Sequence, residues 1–240
     1  MTYKDRFFAR YGETHLAPRK GAPTPERLRD LAVAWRQLFG RFLPTDPNAR
    51  ILDAGCGSGA IVWWLHDRGF REAEGIDISA EQIREGRDLG VGNLMQADLE
   101  TYLADRVEAY DTILARDVLE HFSKDSIVRL LDLMHRALRT GGTLILQVPN
   151  GESPFGGRIR YGDFTHETAF TSASMSQLLR VAGFSAVAIY PVEPVVRGMR
   201  SFARYVAWNV AQAMYRALLT AEVGRGRHVV TQNLLAVARK

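Results

Sequence analysis

"ILDAGCGSGAIVWWL", residues 51–65, decides how this chain folds. Three residues that read as a strand run into Gly55, Gly57 and Gly59, and an apolar helical pattern follows at once. A chain omits side chains at the exit of a strand where its backbone must turn tightly or come close to another group. The start of the next helix adds free N–H donors at the same place. In open parallel sheets, ligands sit beyond the carboxyl ends of the strands, so the stretch predicts a nucleotide-like ligand there.

Working outward, short apolar runs alternate with helical ones. The strands expected are Ile51–Ala54, Glu74–Ile78, Gly92–Gln96, Thr112–Ala115, Thr143–Val148, Ala186–Tyr190 and Val229–Ala238. Helices are expected near Ala60–Arg68, Ala80–Leu89, Ser126–Leu138 and Ser174–Ala182. Gly141-Gly142 reads as a turn ahead of the fifth strand, and Gly183 suits a helix C-cap. The alternation argues an α/β fold: a mostly parallel sheet with helices on both faces.

The flanks read differently. Residues 1–49 form an N-terminal arm and a helix that opens at Thr24-Pro25, with Leu28, Leu31, Ala32, Trp35, Leu38 and Phe39 along one face. Residues 50–190 are the core, 191–226 a helical insertion and 227–240 the last strand, all within one expected domain, 1–240. In the insertion, "MRSFARYVAWNVAQAMYRALLTAE" is one helix whose apolar stripe is Phe202, Val206, Val210, Ala213, Met214 and Ala217. Its plain role is packing on the domain; its sharper role is peripheral contact of residues 199–221 with a membrane surface or a partner.

Composition narrows the class. The single cysteine, Cys56, forbids an intrachain disulfide, and the first 21 residues hold no apolar core of signal-peptide length. A cytoplasmic protein is expected, either free or peripheral to the inner face of a membrane. The charge of +4 and pI near 9.4 would admit nucleic acid. Lysine stands only at 4, 20, 124 and 240, however, without basic tracts or aromatic RNA-binding signatures, so no nucleic-acid partner is expected. One excess is local: no acid lies between Glu193 and Glu222, where Arg197, Arg200, Arg204 and Arg216 stand.

The ligand can be narrowed from the acids. A dinucleotide fingerprint is G-x-G-x-x-G, whereas the spacing here is G-x-G-x-G, and Asp53 precedes it by two positions. That acid repels a pyrophosphate and suits an ammonium group. Asp77, ending the second strand, can accept from ribose hydroxyls. Asp98 can accept from an adenine amino group, with the Leu99 N–H donating to the ring. An amino-acid head, a ribose and an adenine without phosphate describe S-adenosylmethionine.

"ILDAGCGSG", "GIDIS", "QADLE", "YDTILARDVLEHF" and "LRTGGTLILQVPN" follow one another as in class I S-adenosylmethionine-dependent methyltransferases, over roughly residues 25–190. The chain most resembles the small-molecule and ubiquinone-type branch. The resemblance implies a Rossmann-like three-layer sandwich: seven strands, mostly parallel, the last antiparallel. It also implies that Gly55, Cys56 and Gly57 approach the methionine part while Asp53 orients the loop. Asp77 then holds the ribose, Ile78 packs on the adenine, Asp98 and Leu99 read its edge, and the Arg116 backbone lies near the amino-acid portion.

Methyl transfer from a sulfonium needs acceptor, methyl and sulfur in line, and a hydroxyl acceptor also needs a base. "NGESPFGGRIRYGDFTHETAFT", residues 150–171, rims the same crevice and is long for a connection. His166 is the expected base, with Asp163 orienting it; His121, Asn150, Arg160, Tyr161 and Asp163 are expected to line the acceptor pocket. Tyr11 and His15 would close over the cofactor. Cys56 has no partner for thiol catalysis. Asp117, Asn150 and Glu152 are the oxygen ligands that could converge on a metal, but nothing in their spacing demands one and metal-free chemistry is expected. Residues 153–171 more loosely resemble methyltransferases of bacterial surface-polysaccharide and glycolipid assembly. The expected reaction is O-methylation of a glycan, glycolipid or sugar-containing metabolite. A quinone precursor or other small metabolite is the alternative acceptor, and a non-catalytic adenosylmethionine-binding subunit the alternative role.

Overall fold

The computed structural model describes residues 3–8, 10–11, 14, 24–224 and 228–240. Seven strands form one sheet: β1 Ile51–Ala54, β2 Glu74–Asp77, β3 Leu94–Gln96, β4 Tyr110–Arg116, β5 Leu138–Pro149, β6 Ser185–Pro191 and β7 Asn233–Arg239. Their order is β3-β2-β1-β4-β5-β7-β6. The first five strands pair in parallel, and β7 runs antiparallel to both β5 and β6. Strand order reverses between β1 and β4, so a crevice opens beyond their carboxyl ends, where the glycine turn lies.

Nine helices accompany the sheet among the described residues: α1 Tyr3–Phe8, α2 Pro25–Phe39, α3 Ala60–Asp67, α4 Ala80–Asp88, α5 Leu99–Ala104, α6 Lys124–Ala137, α7 Gly156–Arg160, α8 Ser172–Val181 and α9 Met199–Val223. Successive strand residues point to opposite faces. Ile51, Leu114, Ile145 and Leu235 meet Leu28, Trp35 and Phe39 of α2 and Ile61, Trp64 and Leu65 of α3. Leu52, Ile113, Leu144 and Leu146 meet Leu103 of α5, Leu130 and Leu131 of α6 and Leu179 of α8. Both faces are thereby buried, as near-continuous apolar strands require. Local signals agree: Thr24 caps α2 by accepting from the Arg27 N–H, and Gly183, at φ +87°, follows α8.

Three local expectations change. Gly141-Gly142 lies inside β5, where pairing with β4 slips between Tyr110 and Thr112 and Gly141 takes the irregularity at φ +77°. The last strand begins at Asn233, because the Val229 and Thr231 carbonyls accept from the Asn150 side chain instead of from a strand. The stripe on α9 does not pack on the domain: Phe202 is 56%, Val210 57% and Met214 66% exposed, and Gln212 is the helix's buried residue. The helix is held by other contacts. Arg197 pairs with Asp30 of α2, and Trp208 packs 6.1 Å from Phe155. Among the described residues, no helix is long and apolar enough to cross a membrane.

Candidate functional site

The turn after β1 is built by backbone bonds to β2. The Gly55 and Cys56 N–H groups both donate to the Ile76 carbonyl, at 2.8 and 2.9 Å. Gly57 donates to Asp77 Oδ2 at 2.8 Å, and Ser79 donates to Asp77 Oδ1 at 2.8 Å. Asp77 therefore ties the turn to the start of α4. Each carboxylate oxygen keeps capacity for a further donor. Burial raises its pKa, against the pull of the Ser79 and Gly57 N–H groups.

Asp53 stands one strand away. It is 1% exposed, and among the described residues its Oδ2 has no hydrogen-bond partner. No hydrogen bond joins its side chain to the glycine turn among the described residues, so the expected orienting contact gives way to an unpaired carboxylate. Burial pushes its pKa up to about 7; the Arg116 guanidinium pulls down, and Asp77 pushes up. A buried carboxylate without a donor is costly unless a cation meets it. Cys56 is buried, and burial raises its thiol pKa, which agrees with a packing role.

The nucleoside side follows from the ends of β2 and β3. Ile78 is 52% exposed directly after Asp77. Asp98 caps α5 by accepting from the Thr101 N–H at 2.9 Å, and Leu99 anchors that helix in the core. The cap occupies one oxygen, Oδ1. An orphaned buried acid, a tight glycine turn, a second acid and an exposed isoleucine fit a ligand with a cationic amino-acid end and an uncharged nucleoside. A pyrophosphate would confront Asp53 and Asp77.

Across the crevice, beyond β4, a second cluster lies. His121 and His166 meet edge to face with ring centroids 4.7 Å apart. The His166 Nδ1–H donates to the Ile159 carbonyl at 3.1 Å. Thr165 Oγ1 lies 2.9 Å from His121 Nδ1 and donates to Asp163 Oδ1 at 2.7 Å, so the imidazole donates to the hydroxyl. Both rings thus carry their proton on Nδ1 and keep a lone pair on Nε2. Burial lowers both pKa values, that of His121 to about 4, with the neighbouring His166 adding to its shift. Both rings are therefore neutral near pH 7.

Glu120 completes the cluster. It is fully buried, and among the described residues neither of its carboxylate oxygens has a hydrogen-bond partner. Burial raises its pKa well above the carboxylate range; Asp117 adds to this, and Arg116 opposes it. Asp117 itself holds φ +58° and accepts from Gln147 Nε2. Sequence reading passed over Glu120, whose one signal is an acid set between Leu119 and His121 in an otherwise apolar turn. The distant loop that carries Thr165 closes beside it, with the Glu167 N–H donating to the Glu120 carbonyl at 2.7 Å.

The loop after β5 holds most of the corrections. Asn150 is 0% exposed; its Nδ2 donates to the Val229 and Thr231 carbonyls, and its Oδ1 accepts from the Glu152 N–H, so it clasps two chain segments instead of lining a pocket. Arg160 donates its guanidinium to the His166 and Glu167 carbonyls, which stiffens the loop and draws that side chain away from an acceptor. Tyr161 is 81% exposed and lies over the Arg160 guanidinium, outside the crevice. Asp163 is buried and accepts from Tyr11, the Thr165 N–H and the Thr165 hydroxyl. Its Oδ2 is 3.9 Å from His166 Nε2, too far for a hydrogen bond; the Ile159 carbonyl orients His166 instead. Tyr11 reaches this cluster and not the glycine turn, and His15 lies outside the described residues. An open cleft at the amino ends of β4 and β5, lined by Leu43, Asp111 and Arg139, lies at the far end of the sheet.

Residues 27–189 match the model of a family described as a methyltransferase domain. The chain is 36% identical over 119 residues to a trans-aconitate 2-methyltransferase of an Azoarcus species, covering 48% of this chain and 45% of that protein. It is 30% identical over 108 residues to a ubiquinone biosynthesis O-methyltransferase of Xylella fastidiosa, covering 43% of each. Other relatives are named for a ribosomal protein and for a tRNA. The chain spans between 26% and 45% of the length of the curated relatives it matches. The crystal structure of a SAM-dependent methyltransferase from Archaeoglobus fulgidus shares the fold, with a TM-score of 0.65 and 20% identity over 90% of this chain and 97% of that one.

Proposed function

The chain belongs to the class I S-adenosylmethionine-dependent methyltransferases, and from that premise we propose that it methylates a hydroxyl of a lipid-linked glycan or related sugar-bearing acceptor. The observation that carries the hydroxyl is the neutral His121–His166 pair beside the crevice, because a neutral alcohol needs a base and an amine-binding cage needs none.

S-adenosylmethionine supplies an electrophilic methyl group on a sulfonium. In this reading Asp53 pairs with the ammonium of the cofactor, the glycine turn closes on its amino-acid part, and Asp77 accepts from the ribose. Ile78 packs on the adenine, and Asp98 and Leu99 meet its edge. Arg116 neighbours the amino-acid portion through its backbone and partly balances Asp53 and Glu120. His121 walls the acceptor side. His166 Nε2 would take the hydroxyl proton as the methyl group passes to the acceptor oxygen, the donor leaving as a neutral thioether. His166→Ala is therefore expected to lower kcat by roughly 10²–10⁴-fold with cofactor affinity intact. Near-normal turnover of that variant across pH 6–9 would remove His166 from the chemistry.

The membrane side of the proposal comes from α9. Its exposed stripe is bordered by Arg200 and Arg204, no acid lies between Glu193 and Glu222, and Trp208 adjoins Phe155 on the loop that rims the crevice. A helix of this pattern suits an anionic lipid surface, with arginines at headgroups and the stripe among acyl chains. Binding to vesicles containing phosphatidylglycerol, reduced at least about tenfold by Phe202→Ser with Met214→Ser, is expected; binding equal to neutral vesicles would refute it. The acceptor is tested with isotope-labelled cofactor and cell lipid and polysaccharide extracts. Label in a glycolipid supports the reading, label in a quinone fraction supports the second acceptor class, and no transfer to any fraction supports a binding subunit.

A further inference from the structure

We propose that Glu120, His121 and His166 form a binding site for a divalent first-row transition ion at the acceptor end of the crevice. One ligand atom from each residue lies within 4.8 Å of the others. The sequence pointed to metal-free chemistry, with Asp117, Asn150 and Glu152 as the oxygen ligands that could converge on an ion; the structure commits Asn150 elsewhere and gathers a different set.

Two independent features of the cluster suit an ion. First, Glu120 brings a carboxylate into the core with both oxygens unpartnered among the described residues, a costly arrangement unless a cation completes it. Second, each imidazole already donates from Nδ1, His121 to Thr165 and His166 to Ile159, so Nε2 is the free electron pair on both rings. Metal-ligating histidines are held in this way, by a second acceptor that fixes tautomer and ring direction. The Thr165 hydroxyl is itself held by Asp163, so the support extends one group further. The surrounding charge is mixed: Asp117 and Asp163 act on Glu120, Arg116 opposes them, and Lys4 and Arg160 act on the two imidazoles.

Two imidazole nitrogens and one carboxylate oxygen select transition ions over magnesium or calcium, which prefer all-oxygen shells. Bonds of about 2.0–2.2 Å require the three groups to draw together from their present spacing. Such a set leaves coordination positions open toward the crevice. What the ion would do there rests on the hydroxyl-acceptor reading: it would hold the acceptor oxygen and acidify it, and His166 would then be a ligand in the loaded protein and a base only in the stripped one. Occupancy of the site does not rest on that reading.

The test uses the full chain without an affinity tag, stripped with chelator and titrated with Co²⁺. About one ion per chain is expected, with visible d–d bands and two solvent-exchangeable, paramagnetically shifted imidazole N–H signals. Those signals report the two Nδ1–H groups in the unmutated protein, so the test does not depend on a variant folding. Glu120→Gln and His121→Ala, checked by circular dichroism, should weaken uptake at least about hundredfold while calorimetric affinity for S-adenosylmethionine stays within twofold. No uptake by the unmutated chain, or uptake without shifted imidazole signals, overturns the site. Loss of cofactor binding in the unmutated chain would instead count against the methyltransferase reading.

Discussion

Asp77→Ala should weaken S-adenosylmethionine binding by on the order of 2–4 kcal/mol, roughly thirty- to a thousandfold, in a calorimetric titration. The expected effect is large because the carboxylate has two jobs. It accepts from the Gly57 and Ser79 N–H groups, and so holds the glycine turn against the start of α4. Its remaining lone pairs face the crevice, where the ribose hydroxyls would meet them. Alanine removes both sets at once, and leaves two backbone donors without an acceptor. Asp77→Asn separates the jobs. The amide keeps the size and one acceptor oxygen for the turn, but loses the charge that strengthens bonds to hydroxyls. Melting temperature should therefore fall more in Asp77→Ala than in Asp77→Asn, while affinity falls in both. Unchanged affinity in the alanine variant would sink the ribose assignment.

Gly55→Ala carries the second large effect. Gly55 sits at φ +75°, and a Cβ placed there would come within 2.4 Å of Val118 Cγ2. The left-handed backbone costs an L-residue about 1–2 kcal/mol, and overpacking a tight contact about 1–3 more. Val118 is 8% exposed, at the crevice end of β4, and has little room to retreat. A denaturant midpoint lowered by the equivalent of roughly 2–4 kcal/mol is expected, with cofactor binding lost at ordinary concentrations. Gly55→Ala combined with Val118→Ala should recover the overpacking part and leave the backbone part, which a double-mutant cycle resolves. A Gly55→Ala protein as stable as the original would mean that the turn relaxes freely and is not a rigid cradle.

Much of the cofactor end was legible because its determinants are local. A strand, an alternating glycine turn and a helix follow one another within fifteen residues, and each acid at a strand end sits a fixed distance past a glycine or an apolar run. Period and turn chemistry carry that information without any distant contact. The acceptor end was legible only in part. His121 and His166 were picked out as residue types, but their pairing spans 45 positions and needs β4 and β5 to lie side by side. Arg160, Tyr161 and Asn150 carry polar groups that suit an acceptor equally well on paper. Only packing reveals that two of them bond their own chain and the third faces solvent. The α9 stripe shows the same limit in reverse, since an apolar face has the same pattern whether it packs inward or outward.

Taken alone, the residue order determined the mostly parallel sheet and its glycine turn, which rest on periodicity and short-range turn geometry, while the antiparallel last strand followed from the resemblance of its motifs to a known family. The tertiary structure decided which polar groups remain available. Hydrogen-bonding capacity is used up by whatever lies nearest in space, and for Asn150, Asp163 and Glu120 those neighbours come from distant parts of the chain. Burial sets the rest: among the described residues it leaves Asp53 Oδ2 and both Glu120 carboxylate oxygens inside the protein without a hydrogen-bond partner, which no local sequence pattern shows.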